Sequence, residues 1–365
     1  GPPLLRRPLL TKSLCPAHTY SQTPKLEGEF YMAAGRMKVS VIGAGNVGAT
    51  VAFHVAQQGY SDVVLLDLPD DLTLERPRKT GSMAQGKALD LNQVSPIVGY
   101  DGRLKGTSDY ADTAHSDVVV ITSGRPRSPG MSREDLLGVN ADIVKSVAAQ
   151  AVKESPDAVY IVVSNPLDAM CHVALAATGL PPARVIGQAG VLDSTRYRNA
   201  IAAAVGISVE DVQAYVLGGH GDQMVPVRSL TTVGGIPVQK WVDTGKISAE
   251  QMQKIEDDTR QGGGILTGLI GTSAWYAPGV ATAEMVEAVL LDRKRILATT
   301  VLLNGEYGVN GLYFGVPAKL GAGGAEEVYD LSALVSLTAT EQAGIKESAS
   351  KVQATVESLK SLGKL

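Results

Sequence analysis

From residue 37 onward, short and wholly apolar runs alternate with longer stretches of helical spacing. Residues 38–42 read as a strand that ends in glycines, and residues 46–59 follow with apolar positions three and four apart. Residues 62–67 predict a second strand and residues 82–93 a second helix. Two further β-branched runs, 117–122 and 158–164, are separated by a long helical stretch around 133–153. Strands that are apolar at every position, not at alternate ones, are buried on both faces. With helices between them, they predict a doubly wound parallel sheet of the α/β class. After about Gln188 the text changes to longer helices, glycine-rich turns and shorter strands, which predicts a second domain of α+β type over 188–365, after a first over 37–187. Residues 338–365 read as a terminal amphipathic helix.

Residues 1–36 stand apart. No acidic residue precedes Glu27, while Arg6, Arg7, Lys12 and Lys25 are scattered among Ser, Thr and Pro. An organelle transit peptide has this composition. So has an upstream stretch translated in error or left by cloning, with Met32 or Met37 as the start. The lack of clean helical periodicity favours the second origin, so the extension is expected to be disordered or processed, and the protein cytoplasmic.

Composition narrows the partners. At 44% hydrophobic and 19% charged residues the chain can bury a real core, and with only 5% aromatics that core is built from Val, Ile, Leu and Ala. A formal charge of −4 gives no reason to expect nucleic acid or an anionic membrane. No apolar run reaches the length of a membrane span. Two cysteines, Cys15 and Cys171, are too few for a disulfide framework and suit a reducing compartment.

The turn after the first strand carries Gly43-Ala44-Gly45-Asn46-Val47-Gly48, a G-x-G-x-x-G pattern. Glycines in a turn alone mean little, but this set follows a strand and opens a helix, and Asp67 stands at the end of the next strand. Gly43 permits the tight turn, Gly45 lets backbone approach a pyrophosphate, and Gly48 lets helix and strand pack closely. The phosphates would rest on free N–H groups at the positive end of the helix. Asp67 would accept from the adenosine ribose hydroxyls and repel a 2′-phosphate, which favours NAD over NADP. The fold expected is therefore a Rossmann-type sheet that binds NAD.

Hydride chemistry on an alcohol needs a base and a grip on the substrate. His220, in Gly218-Gly219-His220-Gly221-Asp222, lies in a glycine-flanked loop that a ligand can approach closely. Asp193 and Arg196 are spaced to share a helix face and one cavity, where the carboxylate could orient an imidazole and the guanidinium could grip a carboxylate. Read alone, the pair is equally a surface ion pair. Residues 123–133 hold Arg125, Arg127 and Arg133 among prolines and glycines with no acid, a loop suited to cover a small dianion. Asn165, in Val163-Ser164-Asn165-Pro166, ends the next strand and could bond both cofactor and substrate. Cys171 and His172 are helix neighbours about 100° apart and cannot easily share a ligand, so no metal is expected.

In these residues, from Met37 nearly to Leu365, the chain resembles the lactate/malate dehydrogenase family, especially the lactate-dehydrogenase-like malate dehydrogenases of bacteria. The motifs that carry the likeness are 43–48, Asp67, 127–133, Asn140, 163–168, 192–196 and 218–222. The resemblance implies His220 as proton acceptor, Asp193 as its partner and Arg196 as the clamp on the C1 carboxylate. It implies that Arg133 polarises the carbonyl, that Arg127 binds the distal carboxylate, and that Asn140 with Val163, Ser164 and Asn165 lines the nicotinamide end. Lactate enzymes usually carry glutamine where Arg127 stands, and Arg127 precedes Arg133 at the spacing of malate enzymes. The expected activity is therefore reversible oxidation of malate to oxaloacetate in a homodimer or homotetramer. Alternatives are a lactate dehydrogenase, a hydrolase on the same scaffold and a non-catalytic NAD-binding protein. The connection 69–81 is longer than the family's and carries Arg76, Arg78 and Lys79, charges able to meet a 2′-phosphate.

Overall fold

A computed structural model describes residues 35–69, 82–101, 103–125 and 133–365. The extension before residue 35 and the connection 70–81 lie outside the described residues. In chain order the elements are β1 (Met37–Ile42), α1 (Asn46–Gln57), β2 (Ser61–Leu66), α2 (Met83–Val98), β3 (Leu104–Thr107), β4 (Val118–Ile121), α3 (Arg133–Glu154), β5 (Val159–Val162), α4 (Leu167–Thr178), β6 (Val185–Gly187) and α5 (Gly190–Val205). There follow the short strands β7 (Val212–Gln213), β8 (Val216–Leu217), β9 (Val225–Pro226), β10 (Thr232–Val233) and β11 (Ile236–Pro237). The chain then runs through α6 (Val238–Asp243), α7 (Ala249–Ile270), α8 (Tyr276–Leu290), β12 (Arg295–Asn304), β13 (Asn310–Gly321), β14 (Gly324–Val328), α9 (Leu331–Leu334) and α10 (Ala339–Ser361).

A 9-stranded sheet runs β14-β13-β12-β6-β5-β4-β1-β2-β3. Strands β3-β2-β1-β4-β5-β6 are parallel, and β12 joins β6 antiparallel through Thr300 and Gly187. Side-chain alternation explains the two layers of core. Val39, Val41, Val63, Leu65, Val118 and Val120 face α1 and α8, whereas Ile42, Leu66, Val119, Ile121, Tyr160 and Val162 face α3 and α4. A third apolar cluster joins α5, α7 and the small sheets, around Tyr197, Ile201, Val216 and Met252. Reciprocal capping boxes start three helices: Ser82 with Gln85 on α2, Ser248 with Gln251 on α7, and Thr338 with Glu341 on α10.

Two features differ from the sequence expectation. Strand β3 was not expected; Leu-Lys-Gly-Thr is too short and too mixed to show a period, and it forms because β2 offers it a parallel edge. Beyond residue 188 the strands are not all short: β12 and β13 have 10 and 12 residues and extend the same sheet. No helix among the described residues is long and apolar enough to cross a membrane.

The strand order reverses between β1 and β4, whose carboxyl ends open side by side. Thr122 Oγ1 donates to the Gly43 carbonyl at 3.0 Å, and Ser123 Oγ to that of Ile42 at 2.9 Å. A crevice at such a reversal is where open α/β sheets take ligands.

Candidate active site

The turn 43–48 is shaped by what a side chain would meet. A Cβ on Gly48 would stand 1.8 Å from the Gly43 carbonyl oxygen, so helix α1 can pack there only with glycine. Gly43 has φ +111°, a region costly to any other residue. A Cβ on Gly45, in contrast, would meet nothing within 4 Å. Gly45 caps α1 without any side-chain hydrogen bond, so the first amides of the helix have no side-chain acceptor at the cap. Open space over such amides fits the diphosphate of a dinucleotide. Asp67 Oδ2 accepts from the Ala44 amide at 2.6 Å and Oδ1 from that of Leu68 at 2.8 Å, which brings the acid against the glycine turn. Asn46 and Val47 begin α1.

Asn140 of α3 ties the ends of β4 and β5 together. Its Oδ1 accepts from the Arg125 amide at 2.8 Å, and its Nδ2 donates to the Asn165 carbonyl at 2.7 Å. Ser164 Oγ donates to the Ser123 carbonyl at 2.5 Å, Val163 is half-buried, and Asn165 is exposed. Residues 126–132, Arg127 included, lie outside the described residues, as does the side chain of Arg133, whose main chain starts α3.

His220, Asp193 and Arg196 come together. Asp193 sits in the first turn of α5, its side chain only 2% exposed, so the pair with Arg196 is not at the surface. Its Oδ2 meets His220 Nδ1 at 2.9 Å, and its Oδ1 meets Arg196 Nη1 at 3.2 Å. Burial pulls the His220 pKa down. The charge and hydrogen bond of Asp193, with the charge of Asp168, push harder, and the net is a rise above the ordinary histidine value, opposed by Arg196. His220 and Arg196 line a cavity of about 510 Å³ together with Met224, Arg260, Gly263 and Gly264.

The loop that carries His220 is held at three successive amides. Gly218 N–H donates to the Gly315 carbonyl of β13 at 2.9 Å, and Gly219 N–H to Ser348 Oγ of α10 at 2.9 Å. His220 N–H donates to Asp168 Oδ2 of α4 at 3.1 Å. The flanking glycines follow from this crowding: a Cβ on Gly219 would stand 2.4 Å from Val352 Cγ2, and Gly218 has φ +97°.

Sequence reasoning gave no role to Asp168 or to helix α7. A first-turn aspartate looks ordinary. The three glycines Gly262, Gly263 and Gly264 inside a 22-residue helix were a usable signal, because glycine there weakens the helix and needs a reason. A Cβ on Gly262 would press to 3.2 Å of Arg196 Cδ, while Gly263 and Gly264 open into the cavity. Cys171 is a buried free thiol, and His172 accepts from the Tyr313 amide at 3.2 Å. Among the described residues no group of His, Cys, Asp and Glu could hold a metal ion.

Comparison with known proteins agrees over both halves of the chain. Residues 37–187 match the family profile described as lactate/malate dehydrogenase, NAD binding domain. Residues 190–362 match lactate/malate dehydrogenase, alpha/beta C-terminal domain. Malate dehydrogenase of Thermomicrobium roseum is 53% identical over 90% of this chain and 99% of its own length. The structure of malate dehydrogenase from Salinibacter ruber superposes with a TM-score of 0.80 at 49% identity, covering 89% of this chain and 98% of that one. A lactate dehydrogenase from Cryptosporidium parvum, complexed with lactic acid and nicotinamide adenine dinucleotide, gives 0.82 at 38% identity, over 90% and 99% of the two chains.

Proposed function

Since the chain belongs to the lactate/malate dehydrogenase family, we propose that it is an NAD-dependent malate dehydrogenase, with the dinucleotide on residues 37–187, the acid–base pair on 188–365, and substrate groups drawn from both. The observation that carries this reading is the single buried carboxylate of Asp193, bonded at once to an imidazole and a guanidinium. When bound, NAD supplies the hydride acceptor. Gly43, Ala44, Gly45, Asn46, Val47, Gly48 and Asp67 would hold its adenosine and diphosphate; Asn140, Val163, Ser164 and Asn165 would line its other end.

In this reading His220 takes the proton of the malate hydroxyl at Nε2, because Nδ1 is committed to Asp193. Oxidation thus needs neutral imidazole and reduction needs imidazolium. Arg196 bonds Asp193 through Nη1 and lines the cavity beside His220, which places its guanidinium to take the C1 carboxylate. Arg133 would polarise the carbonyl, and Arg127 would meet the distal carboxylate that pyruvate lacks. Malate is favoured over lactate by that arginine and by the curated malate dehydrogenases at about half identity over nine-tenths of the chain.

The reading includes a homo-oligomer. It is supported by exposed apolar side chains on neighbouring α7 and α8, among them Leu269 at 79% and Tyr276 at 70% exposed. A cytoplasmic location suits the free thiol of Cys171. The test is NADH oxidation by the purified protein with oxaloacetate and with pyruvate. Oxaloacetate is expected to be preferred by orders of magnitude in kcat/KM, and a preference for pyruvate reassigns the enzyme to lactate.

A further inference from the structure

We infer that Asp168 is a positioning residue for this reaction, its buried carboxylate clamping the main-chain N–H of His220 and so fixing the imidazole against Asp193. The inference rests on the dehydrogenase reading for its turnover measurement but not for its spectroscopic one.

Asp168 lies in the first turn of α4 and is 5% exposed. Oδ2 takes the His220 amide at 3.1 Å, and Oδ1 has no hydrogen-bond partner among the described residues. An acid in a first turn gains from the helix dipole whether or not it is buried. Burial with one oxygen unpartnered therefore adds cost with no gain for the helix. The cost is visible: burial, with the Asp193 charge, pushes the Asp168 pKa up to about 7, against the pull of the His220 charge and of the amides of His220 and Asp168 itself. A group kept in place at that cost, on the backbone of the acid–base residue, needs a reason outside helix stability.

Geometry supplies one. The ring of His220 reaches Asp193 by rotations about bonds that start at its own backbone, so the plane of the 219–220 peptide decides where Nδ1 falls. Asp193 holds the ring, and Asp168 holds the backbone behind it. The charged and titratable groups with a resolved influence on this pair are Asp193 and Arg196 of α5. Cys171, a turn further along α4, feels Asp168 in turn, while Lys360 of α10 acts on His172.

Two variants separate clamp from charge. Asp168→Ala removes both; Asp168→Asn keeps an acceptor oxygen for the amide but no charge. Asp168→Ala is expected to lower kcat about ten- to a hundredfold, with NADH affinity within about twofold of wild type. Asp168→Asn is expected to recover most of that turnover. Its His220 ring, followed by imidazole NMR without substrate, should titrate at lower pH than wild type, because the Asp168 charge raises that pKa. A purely structural acid would lower the melting temperature in both variants and leave kcat and the His220 ring Nδ1–H resonance alone, which overturns the inference. If Asp168→Ala does not fold, Asp168→Leu, which has no acceptor for the amide, takes its place, and turnover equal to that of Asp168→Asn overturns the inference. A His220 Nδ1–H resonance lost without the acceptor but kept in Asp168→Asn, in a protein inactive on every 2-hydroxy acid, upholds the clamp and sinks the dehydrogenase reading instead.

Discussion

Replacing Asp193 by asparagine removes the largest influence that raises the His220 pKa and leaves those that lower it. Burial and the Arg196 charge then face only Asp168, so the imidazole becomes harder to protonate than in the wild type. The bond lost is charge-assisted, 2.9 Å long and almost wholly buried at the acid. Such a bond is worth about 1.5–3 kcal/mol, which corresponds to roughly a ten- to 150-fold smaller imidazolium population at a pH above both midpoints. Oxaloacetate reduction should lose that factor there. Malate oxidation should lose it too, since the two directions at one pH share an equilibrium constant; the cause is that the neutral ring is now a weaker base. As pH falls below the new midpoint, both forms are fully protonated and the loss should fade. The assay is kcat/KM in both directions across the acid and neutral range. A loss of the same size at every pH, or a midpoint that stays put, refutes the electrostatic reasoning and leaves Asp193 only the task of holding the ring.

In the wild type, oxidation efficiency should rise and reduction efficiency fall with pH through one shared midpoint above that of ordinary histidine, and a midpoint below it contradicts the direction given by Asp193. Arg127→Gln should lower kcat/KM on oxaloacetate at least about tenfold, the scale of one lost charge-assisted bond, while activity on pyruvate holds or rises. Arg125→Gln should leave the ratio unchanged; the reverse result moves the specificity role to Arg125. Gly45→Ala should fold with wild-type melting but bind NADH about tenfold or more weakly, since the Cβ enters only the space over the helix amides. Gly48→Ala should lose both, because its Cβ would collide with the Gly43 carbonyl. Fluorescence titration and a thermal melt check the pair, and tight NADH binding by Gly45→Ala would contradict the cradle. Gly263→Ala should stabilise α7 by about 0.5–1 kcal/mol in a urea melt yet raise KM for oxaloacetate more than for pyruvate; unchanged KM values would remove α7 from the substrate cavity.

The parallel half of the sheet was readable because its strands are apolar at every position and punctuated by glycine turns, the signature of burial on both faces. The antiparallel extension was not. Ile296-Leu297-Ala298-Thr299-Thr300-Val301 carries no period that tells a sheet edge from a separate small sheet, and only pairing with β6 decides it. Helix spacing put Asp193 and Arg196 on one face but left them equally a surface ion pair, and it was the family resemblance that joined His220 to them. Asp168 was not legible, because its meaning lies in one amide far along the chain that no local pattern marks. For the same reason Asn140, read from the resemblance as lining the cofactor, spends its side chain on the backbones of Arg125 and Asn165.

The loop pinned at Gly218, Gly219 and His220 has a consequence for its dynamics. Exposed loops usually exchange their amide hydrogens within the shallowest openings of a protein. Here each of three neighbouring hydrogens is owned by a different element, β13, α10 and α4. Freeing all of them requires the loop to leave three elements at once, a deeper opening than the fraying of an ordinary loop. The imidazole is thus stationed by the packing of separate parts of the molecule and not by its own loop alone. Damage to the carboxy-terminal helix, remote in sequence, should be felt at the proton-transfer atom as readily as damage beside it.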